Sequence, residues 1–437
     1  MNFQTLFLCT LSLAAARAES PHKAGGAPSG PLSLETVTNA VWADNPSIRE
    51  ARARWEAMKQ RVPQARAWED PKVSGRSRTG RFVDVAANSF TDQSLGIEQM
   101  IPLSGRNQSR ARMAAAEAVG ALEDLRRKEF DAVAKARSAF FRLVKDDALL
   151  DLLEANGRVL HQAVATERAK LESGGQSQAD TLSAENEAEK NDEAQRDLQR
   201  AISDEESRLA ILMNRDPFAP LGKPVSTQSK LGVHANSSQL RGLVLVNRPE
   251  IRAAEAALTG ANAKLELAKR EWIPDPAINV EAQRYNDASQ AVSEVSAGIS
   301  FNVPWLNGKK YRAEEAEAAQ GVEAARQALE ASRLEACALL RDQLQKIETS
   351  HHHIDQYTGQ ILPQAQQIAE ASRIDYETGK AGLGNWLAAQ RSLLEMESML
   401  REHLAEYEVA LAELEAIVGA DLHYFPSRTE TSHRSAK

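Results

Sequence analysis

Ser94-Leu95-Gly96-Ile97-Glu98-Gln99-Met100-Ile101-Pro102-Leu103-Ser104-Gly105-Arg106-Asn107-Gln108-Ser109-Arg110 changes its period in the middle. Before Pro102, Leu95, Ile97 and Ile101 oppose Ser94, Gly96 and Glu98, the alternation of a strand with one apolar and one polar face. From Gly105 to Glu172 there is no proline and the pattern is helical, which predicts a rod on the order of 100 Å at 1.5 Å per residue. A helix so long must pack against neighbours along its whole length.

The same order of signals returns about 203 residues later. Pro46-Ser47-Ile48-Arg49-Glu50-Ala51 matches Pro249-Glu250-Ile251-Arg252-Ala253-Ala254, and Trp68 with Asp70-Pro71 matches Trp272 with Asp275-Pro276. Pro102 and Gly105 match Pro304 and Gly308; Leu171-Glu172-Ser173-Gly174 matches Tyr376-Glu377-Thr378-Gly379. Each half therefore reads as a helix (33–67, then 240–272) ending before Asp-Pro, two strands, a long helix (105–172, then 308–377, the second with Pro363), a glycine turn and a returning helix. In the last helix Leu393, Met396, Leu400, Leu404, Tyr407, Leu411, Leu414 and Val418 form a coiled-coil seam. The expected division is a first repeat at 33–214, a linker at 215–239 and a second repeat at 240–421, with a tail at 422–437.

The N-terminus carries the compartment. Leu6 to Ala16 is apolar but too short to span a bilayer, and Ala16-Arg17-Ala18 offers a cleavage site, so 1–18 reads as a signal peptide and 19–32 as a flexible lead. Beyond it no apolar run is long enough for a transmembrane helix, so a membrane-spanning part must be a β-barrel. The strands suit one. Ser293, Val295, Ala297, Ile299, Phe301 and Val303 alternate with Glu294, Ser296, Gly298, Ser300 and Asn302, and Ile278, Val280 and Ala282 with Asn279, Glu281 and Gln283. In the first strand, Val73 to Arg81, lipid exposure of arginine would cost about 2–4 kcal/mol, so Arg76 and Arg78 are expected on the polar face. Four strands cannot close a barrel, which needs about eight. Oligomerisation must supply the rest, and three copies with four strands each give twelve.

Composition narrows the function. A formal charge of -8 spread through mixed-sign segments leaves no electrostatic footprint for nucleic acid. With Cys9 and Cys337 the only cysteines, and Cys9 in the leader, neither an intramolecular disulfide nor a thiolate cluster is expected. His351-His352-His353 are consecutive, so on a helix their rings point about 100° apart and do not converge on one ion. No nucleophile elbow or phosphate-cradling glycine loop occurs, and neither a catalytic residue nor a cofactor or metal is assigned.

The doubled layout after an export signal, with the Ser94–Arg110 junction, resembles the TolC-like outer-membrane efflux proteins over essentially the whole mature chain; the junction is similar to that of the heavy-metal (cobalt, zinc, cadmium) resistance branch. The resemblance implies a mainly α fold with a small β part: long antiparallel coiled-coil helices forming a trimeric α-barrel, and four strands per protomer contributing to a 12-stranded transmembrane β-barrel. It implies a homotrimer in outer-membrane lipid that extends into the periplasm and meets a membrane-fusion adaptor and an inner-membrane efflux pump, conducting metal ions or small toxic compounds without chemistry of its own. The family's tip pattern falls on Leu171, Gly174, Ser177 and Leu182, and on Tyr376, Gly379, Gly382 and Leu387, as adaptor contacts or turn geometry. The acidic aperture positions fall on Asn385 and Ala388 in the second copy and on Asp180 in the first. Pro102, Gly105, Pro304 and Gly308 mark the strand-to-helix junctions. The competing reading is a periplasmic coiled-coil scaffold or adaptor without a membrane span, which leaves four alternating strands without a role.

Overall fold

The series of elements occurs twice. In the computed structural model, which describes residues 30–78, 92–173, 177–225, 236–286 and 291–422, the first series is α1 (Leu34–Asp44), α2 (Pro46–Arg66), β1 (Lys72–Arg78), β2 (Asp92–Met100), α3 (Arg106–Glu172) and α4 (Gln178–Leu212). The second is α5 (Ser237–Asn247), α6 (Pro249–Arg270), β3 (Ala277–Asn286), β4 (Ala291–Ser300), α7 (Gly308–Gln356), α8 (Leu362–Glu377) and α9 (Leu383–Val418).

Two elements differ from expectation, both because of proline. The single opening helix of each half is a pair, broken before Pro46 and Pro249, whose rings hold Asn45 and Arg248 at extended angles (ψ 125° and 123°). Each break is tied to the end of the returning helix of its own half: Asn45 donates to the Leu212 carbonyl at 2.8 Å and Arg248 to that of Ile417 at 3.1 Å. The second long helix, expected to be uninterrupted, widens for one turn at Tyr357–Ile361, where the Leu362 amide bonds to the Tyr357 carbonyl five residues back. Pro363 explains this, because it has no amide proton for the Gly359 carbonyl and its ring would strike that carbonyl in a regular turn. From Gly308 to Tyr376 the second half is also two residues longer than the first is from Gly105 to Leu171, and a wide turn takes up extra chain. α3 runs unbroken for 67 residues, about 100 Å.

The helices stand side by side, α2 on α3, α3 on α6 and α6 on α7, with α4 and α9 completing a second row against α3 and α7. The main core lies where α1, α3, α4 and α9 meet, around Phe140, Leu143, Leu209, Tyr407 and Leu411. Of the expected seam, Tyr407, Leu411, Leu414 and Val418 are buried and Leu393, Met396, Leu400 and Leu404 are half-buried. A buried ion pair, Arg137 with Glu415, ties α3 to α9 across the two repeats. Leu32 is buried in the core, donates to the Lys223 carbonyl and accepts from the Val225 amide, both at 2.9 Å.

The four strands form one antiparallel sheet in the order β1-β2-β3-β4. The joint between repeats is β2 against β3, with Met100 opposite Ala277 and Gly96 opposite Glu281. Because antiparallel partners share a face, the register stacks like with like. Val73, Ile97, Val280 and Ala297 make one row; Ser74, Gly96, Glu281 and Ser296 make the next. No helix among the described residues is long and apolar enough to cross a membrane.

Candidate functional site

The surfaces that matter are three: the sheet, the junction beneath it and the far tip of the helices. On the sheet, Val73, Leu95, Ile97, Ile278, Val280, Val295 and Ile299 share one face, each between 41% and 74% exposed. So continuous an apolar face is unstable in water and suited to lipid. The other face is polar. Arg76 stands there, in register with Ser94, Gln283 and Glu294, as the cost of placing it in lipid requires, and Arg78 shares its parity. Of the two runs whose sequence suggests loops at the outer end, Gly80 to Thr91 lies outside the described residues, and Arg284 to Gln290 begins as strand, since β3 continues to Asn286.

At the first junction the chain stops being a strand and becomes α3 within five residues, and the second repeat holds it there. Ser104 donates from its amide and its hydroxyl to the two oxygens of Asp275, both at 2.7 Å. Arg106 donates to the carbonyls of Glu271 (3.1 Å) and Ile273 (2.7 Å). Arg270 returns a bond to the Ser104 carbonyl at 3.0 Å. Gly105 lies between, with φ +74°, a left-handed backbone that favours glycine, and a Cβ there would come 2.4 Å from the Arg270 guanidinium and displace it from the Ser104 carbonyl. The second junction is built differently. Pro304 begins a short 3-10 turn, Gly308 starts α7 at an ordinary helical φ of -58°, and Trp272 packs on Tyr311 at 5.5 Å. Trp305 and Leu306 remain exposed.

At the tip, the two hairpins part company in the same way. Gly174 lies outside the described residues. Ser177 caps α4, its hydroxyl accepting from the Ala179 amide at 3.1 Å, and Asp180 sits in the first turn. The matching hairpin ends α8 on Gly379 at φ +72°, and Gly382 starts α9 without a side-chain cap, leaving Asn385 where Asp180 stands in the first. Leu387 turns into a buried cluster with Leu160, Val164, Ala184, Leu383 and Trp386, while Leu182 is exposed and Leu171 is 37% exposed. Tyr376 stacks on Trp386 with ring centres 5.1 Å apart. Its hydroxyl donates to the fully buried Glu167 and accepts from Lys170 at 2.8 Å. Burial and the Glu167 carboxylate push the Tyr376 hydroxyl above the ordinary tyrosine range, so it stays protonated and remains a donor. Glu167, Lys170 and Trp386 carried no sequence signal as a group, because the first two are 206 or more residues from their partner.

The consecutive histidines go to different partners. His351 pairs with Asp355 at 3.2 Å, whereas the His353 ring packs at a tilt against that of His403 of α9, centres 4.6 Å apart. Among the described residues no group of three or more histidine, cysteine or acidic side chains is placed to hold a metal ion.

A four-stranded sheet with a lipid-compatible face, carried on packed helices of which α3 is about 100 Å long, is the architecture of a protein seated in a membrane. The chain belongs to the outer membrane efflux protein family, whose profile matches residues 37–215 and 240–420. It is 24% identical over 224 residues to the toluene efflux pump outer membrane protein TtgF of Pseudomonas putida, covering 51% of this chain and 46% of that one, so the chain spans about half the length of the curated relatives it first matches. Its fold is similar to that of the outer membrane protein VceC of Vibrio cholerae (TM-score 0.74, 17% identity, 89% of this chain and 96% of that one). It is equally similar to the open state of the MtrE outer membrane channel of Neisseria gonorrhoeae (TM-score 0.74, 19% identity, 91% of each chain).

Proposed function

We propose that this protein is the outer-membrane duct of a tripartite efflux system, a homotrimer whose shared 12-stranded barrel opens at the cell surface and whose helices form a hollow α-barrel through the periplasm. The observation that carries this reading is the sheet: one apolar and one polar face, and two edges, β1 and β4, that nothing among the described residues pairs. In lipid an unpaired strand edge costs several kcal/mol per backbone group, so copies must join edge to edge. Substrate moves passively, drawn by an inner-membrane pump and admitted by a periplasmic adaptor that meets the tip around Leu171, Ser177, Leu182 and the Gly379–Gly382 turn. Repeats 33–214 and 240–421 are the two half-units of the wall, joined by 215–239.

The periplasmic aperture is lined by Asp180 and Asn385. One carboxylate per protomer gives the trimer three, a cation-favouring ring that Asp180→Asn removes. The exported compounds are metal ions, a reading supported by the Ser94–Arg110 junction, with small toxic organic compounds as the alternative class. The test is direct: detergent-purified protein should run as a trimer and conduct in planar bilayers, and a stable monomer that forms no pores overturns the reading. Deleting the gene should lower tolerance to at least one divalent metal; unchanged tolerance to every metal, with loss for organic toxicants, moves the substrate to the second class.

A further inference from the structure

The chain contains its own template for how copies join. Between repeats, β2 pairs with β3 and α3 packs on α6. The corresponding elements are β4 and β1, and α7 and α2, which lie at opposite ends of the sheet and of the helix row. The contact made once inside the chain is therefore available once more, between one copy and the next.

We infer that β4 of one copy pairs with β1 of the next in the register that places Ser300 opposite Ser74, and that Asp70 of that next copy takes the role at Asn307 that Asp275 takes at Ser104. This rests on the oligomeric duct proposed above and specifies its joint. Internally, Glu98 opposes Asn279 and Gly96 opposes Glu281. By the repeat, Ser300 stands for Glu98 and Gly298 for Gly96, while Ser74 stands for Asn279 and Arg76 for Glu281.

Three independent features agree with the transferred register. It keeps faces together: Phe301 meets Val73 and Ile299 meets Gly75 on the apolar side, Ser300 meets Ser74 on the polar side, where a one-residue slip would mix them. It sets a glycine beside a long charge at both joints, Gly96 by Glu281 inside the chain and Gly298 by Arg76 between copies. It also assigns partners to groups that have none among the described residues. The Ile101 amide bonds to the Pro276 carbonyl at 2.9 Å, and the Val303 amide and Pro71 carbonyl are their equivalents. Asp275 has a side chain only 6% exposed beneath Ser104 and Arg106, whereas Asp70, its equivalent, is exposed. Asn307, which precedes Gly308 as Ser104 precedes Gly105, offers Asp70 a donor.

Cysteine pairs read the register. In full-length protein carrying Cys337→Ser, Ser300→Cys is combined in turn with Lys72→Cys, Ser74→Cys and Arg76→Cys, all on the polar face. Within one chain β1 and β4 are separated by three strand spacings, about 14 Å, too far for a disulfide, so any bond formed joins two copies. Mild oxidation of the trimer should link Ser300→Cys with Ser74→Cys at least tenfold more completely than with either alternative, giving a covalent trimer on boiled, non-reducing gels. Strongest linkage at position 72 or 76, or none at any of the three, in protein that light scattering shows to be trimeric overturns the register and leaves the duct standing. A monomer in detergent overturns both. Asp70→Ala gives a second reading: it should lower the temperature at which the trimer dissociates, as Asp275→Ala should not beyond its effect on the protomer, and an unchanged dissociation temperature removes the Asp70 contact.

Discussion

The two strand-to-helix junctions follow one plan and are finished in different ways. The first is clamped by the second repeat, through Asp275, Arg106 and Arg270, and contains a glycine whose left-handed backbone any side chain would strain. The second has an ordinary helical glycine, exposed Trp305 and Leu306, and no comparable clamp among the described residues. Duplicated halves of one chain need not be finished alike: the half whose neighbour is covalently attached can close its polar contacts during folding, whereas the other, on the joint proposed above, is left for the next copy to complete.

The largest test of that contrast lies where the first repeat is bound most tightly to the second. Arg137→Met should destabilise the protein by about 3–5 kcal/mol, because it strands Glu415, whose carboxyl burial already holds above the usual range. Combined with Glu415→Leu the loss should largely disappear in denaturant midpoints, and a double variant as unstable as the single would deny that the pair is the cause. Next come the glycines. Gly105→Ala should cost about 2–3 kcal/mol from its left-handed backbone and the displaced Arg270, against less than about 1 kcal/mol for Gly308→Ala, and equal shifts in melting temperature would erase the distinction between junctions.

Smaller effects belong to the tips. Ser177→Ala should lose about 1 kcal/mol with the α4 cap, while Gly382→Ser should gain a few tenths, since that position has extended angles and no side-chain cap to begin with. Hydrogen exchange at the first turns of α4 and α9 would register both, and a gain at Ser177→Ala would reverse the comparison. The smallest is a pH effect at Glu187, which Arg391 of α9 bonds at 2.6 Å. Burial works against its charge, but Arg391 and Lys190 outweigh it and hold the carboxyl below 4.5. The group therefore stabilises the α4 to α9 contact above pH 4.5 and ceases to as pH falls through its lowered value; melting curves of wild type and Glu187→Gln should converge on acidification.

Much of the architecture was legible because it rests on local periodicity and on punctuation. The alternation from Ser293, observed as strand to Ser300 rather than Val303, and the unpunctuated run after Gly105 each carry their structure within a few residues, and repetition made the order secure. What stayed hidden is of two kinds. Pro46, Pro249 and Pro363 were visible, but whether a proline breaks a helix, starts one or widens a turn depends on what the chain packs against next. The junction clamp and the Glu167, Lys170 and Tyr376 group join residues more than 160 positions apart, and no one-dimensional pattern announces such a meeting. The seam around Tyr407 was readable; the meeting of His353 with His403 across it was not.

The open sheet edges have a consequence for the protein's early life. Before it assembles, a chain whose described residues leave the β1 and β4 edges unmatched carries them and an oily face through an aqueous compartment, where any extended peptide can add itself to either side. Success then becomes a race between meeting a sister molecule and being captured by a stranger. Overproduction that outruns the supply of membrane should therefore favour tangled material over finished product.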